Sequence, residues 1–173
     1  MSLIRPSTDE DIAAITAIYR HHVLTGTGTF EIEPPSESDM AARRADVLSK
    51  GLPYLVLELD QQVVGFAYCN WFRPRAAFRF SAEDSIYMSA DIHRKGLGRA
   101  LLSELCARAE RAGIRKMIAV IGDSANAGSI GVHRSIGFTH TGVVTACGWK
   151  FDRWLDMVFM EKVLGAGDTC PPQ

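Results

Sequence analysis

At 173 residues the chain can bury one sizeable core and is too short for two comfortable domains, so a single domain over residues 1–164 with a loose tail from Gly165 is expected. Nineteen Lys and Arg against 20 Asp and Glu leave a net charge of −1, which provides no global field for nucleic acid or an anionic membrane surface. Cys69, Cys106, Cys147 and Cys170 stand far apart with no Cys-x-x-Cys pair, no apolar run approaches the ~18 residues of a membrane-crossing helix, and no leader-like stretch opens the chain; a cytoplasmic location without a metal site is the expectation.

Leu3 to Arg5 predicts an opening strand. Thr8 and Asp11 have capping-box spacing, and Ile12, Ile15 and Ile18 share a face behind them, predicting a helix over Asp9–Val23. Thr25 to Pro35 combines glycines, hydroxyls and prolines and reads as a loop able to wall a pocket. Ser36 and Asp39 then cap a second helix that stops near Gly51. Tyr54–Leu59 and Val63–Trp71, joined by Asp60, Gln61 and Gln62, predict a hairpin, and Ser81–Ser89 a further strand.

From Gly98 the apolar positions Leu101, Leu102, Leu105 and Ala109 follow helical spacing up to Gly113, and Lys116–Ile121 is strand-like. Strand, helix and strand in that order imply a parallel pair with a right-handed crossover. A helix fits Ala127–Ile136, and two late strands fit Phe138–Ala146 and Leu155–Val163. The expected fold is α/β (α+β): a mixed sheet, antiparallel early and parallel in the middle, with helices on both faces.

The sharpest local signal runs from Ile86-Tyr87-Met88-Ser89-Ala90 through His93-Arg94-Lys95-Gly96-Leu97-Gly98-Arg99, a strand passing through a basic loop into an amphipathic helix. Gly96 and Gly98 let backbone N–H groups approach an anion, and the helix start adds partial positive charge at the same place. The pattern predicts a pyrophosphate cradle between Lys95 and Arg99. It lacks the Gly-Lys-Ser/Thr ending of a P-loop and the third glycine of a dinucleotide fingerprint.

With the following Asn126-Ala127-Gly128-Ser129 and the Gly137-Phe138 turn, this stretch resembles the GNAT superfamily of acyl-coenzyme A acyltransferases, whose Gln/Arg-x-x-Gly-x-Gly/Ala loop falls here on His93, Gly96 and Gly98. His93 stands where the family has Gln or Arg, so Arg94 or Lys95 would supply the charge. The likeness extends to the phosphinothricin and methionine sulfoximine acetyltransferase branch. It is carried by Thr27-Gly28-Thr29-Phe30-Glu31-Ile32-Glu33-Pro34, Trp71-Phe72-Arg73-Pro74-Arg75, Glu83-Asp84-Ser85-Ile86-Tyr87, Ala119-Val120-Ile121-Gly122, the helix around His133, and Gly148-Trp149-Lys150-Phe151-Asp152-Arg153-Trp154-Leu155-Asp156. The resemblance implies a splayed central sheet, acetyl-CoA as co-substrate and a homodimer. It also implies that backbone amides at Met88 to Ala90 polarise the thioester, and that Asn126, Gly128, Ser129 and the helix bearing them line the pantetheine.

Direct acetyl transfer needs an amine that has lost its proton, a held thioester and a proton for the leaving thiolate. Glu83 is the candidate base at the position the branch uses, with Asp84 on the opposite strand face as a structural residue. His133 is the candidate for the second proton, with Tyr87 in reserve. Arg73, Arg75, Arg79 and Lys150 gather positive charge suited to carboxylate and phosphinate oxygens, and Thr29, Phe30, Trp71 and Phe78 are candidate walls of the acceptor pocket. Two other readings stay open: the same cofactor with a peptide N-terminus, polyamine or aminoglycoside as acceptor, or a non-catalytic acyl-coenzyme A sensor.

Overall fold

Local chemistry sets the first turns of the structure, a computed structural model that describes residues 1–92 and 96–172. The Asp11 carboxylate accepts the Thr8 N–H at 2.6 Å and, from the other side, both Arg5 guanidinium nitrogens at 2.7 and 2.8 Å. That fork ties β1 (Ser2–Pro6) to a short 3₁₀ turn, Asp9–Asp11, which runs into α1 (Ile12–Thr25). Ser36 and Asp39 form the expected reciprocal cap at the start of α2 (Glu37–Ser49), with Ser36 N–H on the Asp39 carboxylate at 2.9 Å.

Strands β2 (Tyr54–Leu59) and β3 (Gln62–Trp71) form the hairpin. Its turn is two residues rather than three: Asp60 and Gln61 adopt φ of 50° and 67°, the handedness that matches strand twist. After β4 (Ser81–Met88) come α3 (Leu97–Arg111), β5 (Lys116–Gly122), α4 (Ala127–Ser135), β6 (Thr139–Lys150) and β7 (Arg153–Val163). Among the described residues the sheet has seven strands in the order β1-β2-β3-β4-β5-β7-β6, and only the β4–β5 pair is parallel.

The last hairpin departs from the sequence expectation. β6 runs to Lys150 rather than stopping near Ala146, bends through a register shift between Val144 and Gly148, and turns at Phe151 and Asp152 with φ of 54° and 55°. Neither turn residue is glycine or asparagine, so the usual turn signal is missing.

Strand alternation sorts the central residues onto two faces. Tyr54, Phe66, Tyr68 and Tyr87 stack on one face, with Tyr54–Tyr68 centroids 4.8 Å and Phe66–Tyr87 centroids 5.3 Å apart, and Tyr19 of α1 meets Tyr87 edge-on at 4.9 Å. Helices α1 and α2 cover this face, and α3 and α4 cover the other. Ile15, Phe66, Leu101, Leu105 and Met117 are fully buried between these layers.

The parallel pairing is short. β4 and β5 are joined only from Ser81–Asp84 to Lys116–Ala119. Beyond Asp84, β4 stays with β3 as far as Met88 while β5 stays with β7, so the two strands part and the sheet opens in its middle.

Candidate active site

A cleft of about 700 Å³ occupies this opening. Its edges are Ser85–Met88 of β4 and Ala119–Ile121 of β5, one wall is the loop Gly26–Phe30, and the other is formed by Gly98 of α3 with Asn126–Ser129 at the start of α4. The Ser89 N–H bonds the Val64 carbonyl at 2.8 Å, so the odd residues of β4 direct their backbone groups toward β3. By alternation, Ile86 and Met88 direct theirs into the cleft. Such an edge suits an extended amide-bearing chain added as a further strand. Of the amides at Met88, Ser89 and Ala90, that of Ser89 is therefore committed to the sheet.

The loop wall is held by side chains distant in sequence. Lys150 is 4 % exposed, and its Nζ donates to the Gly26 and Thr29 carbonyls at 2.9 and 2.8 Å. Burial lowers its pKa, with Glu31 opposing. Tyr19 donates its hydroxyl to Glu31 at 2.7 Å and lies 2.9 Å from the Thr29 hydroxyl, while Arg43 grips the same Glu31 carboxylate at 2.6 and 3.2 Å. Phe30 rests on Gly148, where any added Cβ would lie 2.3 Å from its ring. At the end of α1, His22 donates from Nε2 to the Met88 carbonyl at 2.7 Å.

Glu83 and Asp84 occupy opposite faces of β4. Glu83 borders the cleft and also a second recess of about 520 Å³, shared with Arg43, Asn70 and Trp71 on the α2 side. Burial raises the Glu83 pKa, the Asp84 charge adds to the rise, and Arg73 opposes it. Asp84, 6 % exposed, meets His133 Nε2 of α4 at 2.9 Å, and its Oδ1 is buried without a hydrogen-bond partner. The other His133 nitrogen, Nδ1, faces the Ser129 carbonyl at 2.7 Å, which makes it a donor. Burial alone would lower the His133 pKa, but the Asp84 carboxylate and the Ser129 carbonyl outweigh it and the net shift is upward. Both ring nitrogens are thus engaged, and His133 can serve a leaving group only by releasing one of them.

The coenzyme-side expectations fall together. Gly96 holds φ of 70° immediately before α3, and the first helical return bond is Ala100 N–H to the Gly96 carbonyl at 3.1 Å. The amides of Leu97, Gly98 and Arg99 thus form the open first turn of a 15-residue helix whose Gly98 faces the cleft. His93, Arg94 and Lys95 lie outside the described residues. Asn126 caps α4 with its Oδ1 on the Ser129 N–H at 3.1 Å, and Gly128 and Ser129 line the cleft beside it. Tyr87 borders the cleft too; burial first, and then Tyr19, hold its proton more tightly than an ordinary phenol does.

The acceptor-side expectations divide. Thr29, Phe30 and Glu83 border the cleft and Trp71 borders the second recess. Arg73, Arg75, Phe78 and Arg79 lie in the β3–β4 connection and border neither, and Lys150 is occupied by the loop carbonyls. Sequence reasoning passed over His22, Tyr19, Arg43 and Asp123. The doubled histidine at His21 and His22 ends an ordinary amphipathic helix. Asp123, with φ of 73°, accepts the Ala125 N–H and Arg153 at 3.0 and 2.8 Å beside the cleft. Cys69 and Cys106 are core residues, and burial pushes the Cys106 thiol up to about 12. Among the described residues no group of three or more His, Cys, Asp or Glu assembles to hold a metal, and no helix is long and apolar enough to cross a membrane.

A sheet parted between parallel strands, with a glycine-led helix start at the opening, agrees with a match to the Acetyltransferase (GNAT) family over residues 15–138. The chain belongs to this family. It is 49 % identical over 170 residues to the phosphinothricin N-acetyltransferase of Alcaligenes faecalis, covering 98 % of this chain and 86 % of the relative. It is 39 % identical to the L-methionine sulfoximine/L-methionine sulfone acetyltransferase of Salmonella typhimurium, covering 96 % of this chain and 99 % of the relative. A crystal structure of the Sinorhizobium meliloti phosphinothricin acetyltransferase in complex with AcCoA superposes with a TM-score of 0.96 at 44 % identity, over 99 % of this chain and 93 % of that one. The chain is accordingly a GNAT N-acetyltransferase, and the opening between β4 and β5 is its candidate active site.

Proposed function

We propose that this acetyltransferase transfers the acetyl group of acetyl-CoA directly to the amine of a small amino-acid analogue such as phosphinothricin, methionine sulfoximine or methionine sulfone. The observation that carries this reading is the through-sheet cleft. It joins the Glu83 face, closed by α1, α2 and the Gly26–Phe30 loop, to the face where α3 and α4 begin. An acceptor and a coenzyme entering from opposite faces meet at the Ser85–Met88 edge.

In this reaction Glu83 accepts the ammonium proton, directly or through one water, and the raised pKa makes it a stronger base than an exposed carboxylate. The freed amine attacks the thioester carbonyl, whose developing oxyanion faces the Met88 amide. The C–N bond forms, the C–S bond breaks, and the second proton, shed by the acylated nitrogen, goes to the thiolate, leaving the N-acetyl product and coenzyme A thiol. The open first turn of α3 holds the pyrophosphate and Asn126 borders the pantetheine arm. Arg43, paired with Glu31 at the second recess, is a better placed partner for an acceptor carboxylate than the arginines of the β3–β4 connection.

We assign the enzyme to the cytoplasm and to a homodimer. The dimer is supported by the exposed apolar side chains of the β6–β7 hairpin, Val143, Val144, Trp149 and Trp154. The test of function is thiol release from acetyl-CoA against phosphinothricin, methionine sulfoximine, methionine sulfone, spermidine and a short peptide. Saturable turnover confined to the amino-acid analogues is expected. Turnover with spermidine or the peptide at equal or greater kcat/KM would overturn the acceptor assignment, and coenzyme binding without turnover against any amine would point to a sensor.

A further inference from the structure

We propose that His22 is a positioning residue for acetyl transfer, acting through its hydrogen bond to the Met88 carbonyl. Met88 is the last residue of β4, and across from it on β3 stands Gly65 in a non-hydrogen-bonded register position, since the bond next along the ladder is Ser89 N–H to the Val64 carbonyl at 2.8 Å. β5 has parted from β4 four residues earlier, with its last pair at Asp84 and Ala119. The N–H and C=O of Met88 therefore point into the cleft with no strand to hold them.

A free strand end is a poor scaffold for a donor that must meet a developing oxyanion, because a displacement of about 1 Å costs up to 10²-fold in rate. His22 supplies the missing restraint: its Nε2 lies 2.7 Å from the Met88 oxygen. Since that oxygen can only accept, Nε2 carries the proton in both the neutral and the protonated ring. The ring is fixed in turn by Tyr87, with centroids 5.3 Å apart, and by the return of the chain at Gly26, whose N–H bonds the His22 carbonyl at 2.9 Å. Holding the carbonyl fixes the Met88 backbone and with it the direction of the Met88 N–H on the same residue. His22 thus stands in for the neighbouring strand that the splay removed, and it links the α1 end of the acceptor wall to the thioester edge.

This inference rests on acetyl transfer in the β4–β5 opening and not on which amine is the acceptor. The experiment measures kcat and KM for acetyl-CoA in the parent, His22→Leu and His22→Gln, using whichever amine the parent acetylates, with melting temperatures alongside. Leu removes the donor at similar volume, while Gln can place an amide N–H near the Nε2 position. His22→Leu is expected to lower kcat roughly 10- to 100-fold with KM for acetyl-CoA changed less than about threefold, and His22→Gln to recover kcat to within about threefold of the parent. Should the Leu variant not fold, His22→Asn, whose amide is too short to reach Met88, takes its place. A kcat within twofold of the parent in the donor-less variant, or a loss that Gln does not restore, would overturn the proposal. A parent inactive toward every amine would instead count against the assignment of the reaction.

Discussion

Glu83 and Asp84 are adjacent carboxylates with divergent environments, and their separation follows from the two-residue period of a strand. Glu83 looks into the cleft and Asp84 into the layer of α4, where it meets His133. A base must be deprotonated to work, so the raised Glu83 pKa places the acid limb of kcat/KM above the ordinary glutamate value of 4.5. Glu83→Gln is expected to lower turnover by about 10² to 10⁴ at neutral pH and to erase that limb, as steady-state rates across pH will show. The alternation was legible in the sequence. The partner of Asp84 was not, because the two residues are 49 positions apart and only the crossover of α3 brings α4 over β4. Lys150 shows the same limit: beside the loop arginines it reads as a cation for acceptor oxygens, whereas the fold closes the Gly26 and Thr29 carbonyls around it.

At the scale of elements, α3 and α4 each carry a consequence. Among the described residues an added Cβ at Gly98 would meet only Met88 Cγ at 3.8 Å, so the position has room for a methyl group and none for a ring without filling the cleft. Gly98→Ala is expected to leave coenzyme A affinity within a few-fold of the parent and Gly98→Trp to abolish it, with both proteins folded; calorimetry and circular dichroism decide. For α4, the His133–Asp84 pair fastens the helix to β4. His133 has its pKa raised on folding, so the stability it adds is complete below its ordinary 6.5 and is lost as pH rises through the higher folded value. The parent's melting temperature should fall across that alkaline window. Asp84→Asn should cost roughly 3 kcal/mol at neutral pH and flatten the dependence, which thermal melts at a series of pH values will test. Most helices and strands announced themselves by period and cap. The hairpin at Phe151 and Asp152 did not, since Phe151 disfavours positive φ and Asp152, with no glycine after it, is a weak turn signal by itself.

For the whole molecule, the mixed sheet and its parallel centre were foreseeable from the strand-helix-strand order, while the placing of the last two strands was not. Sequence order says nothing about which of β6 and β7 lies next to β5. The outer position of β6 leaves Trp149 and Trp154, 52 % and 61 % exposed, on a free hairpin, and this predicts self-association: the sedimentation coefficient should be that of a dimer, and Val144→Glu with Trp154→Glu should shift it to the monomer while far-ultraviolet circular dichroism is kept. The same strand order bears on biogenesis. β7, synthesised after the other strands of this sheet, inserts between β5 and β6, and β6 delivers Lys150 to a loop more than 120 residues upstream. Until that insertion the nascent chain carries β5 as a naked apolar border, a template for mispairing. Folding of the sheet and maturation of the acceptor wall are thereby deferred until β7 has been synthesised, so the interval between β5 and β7 is where a chaperone would matter most.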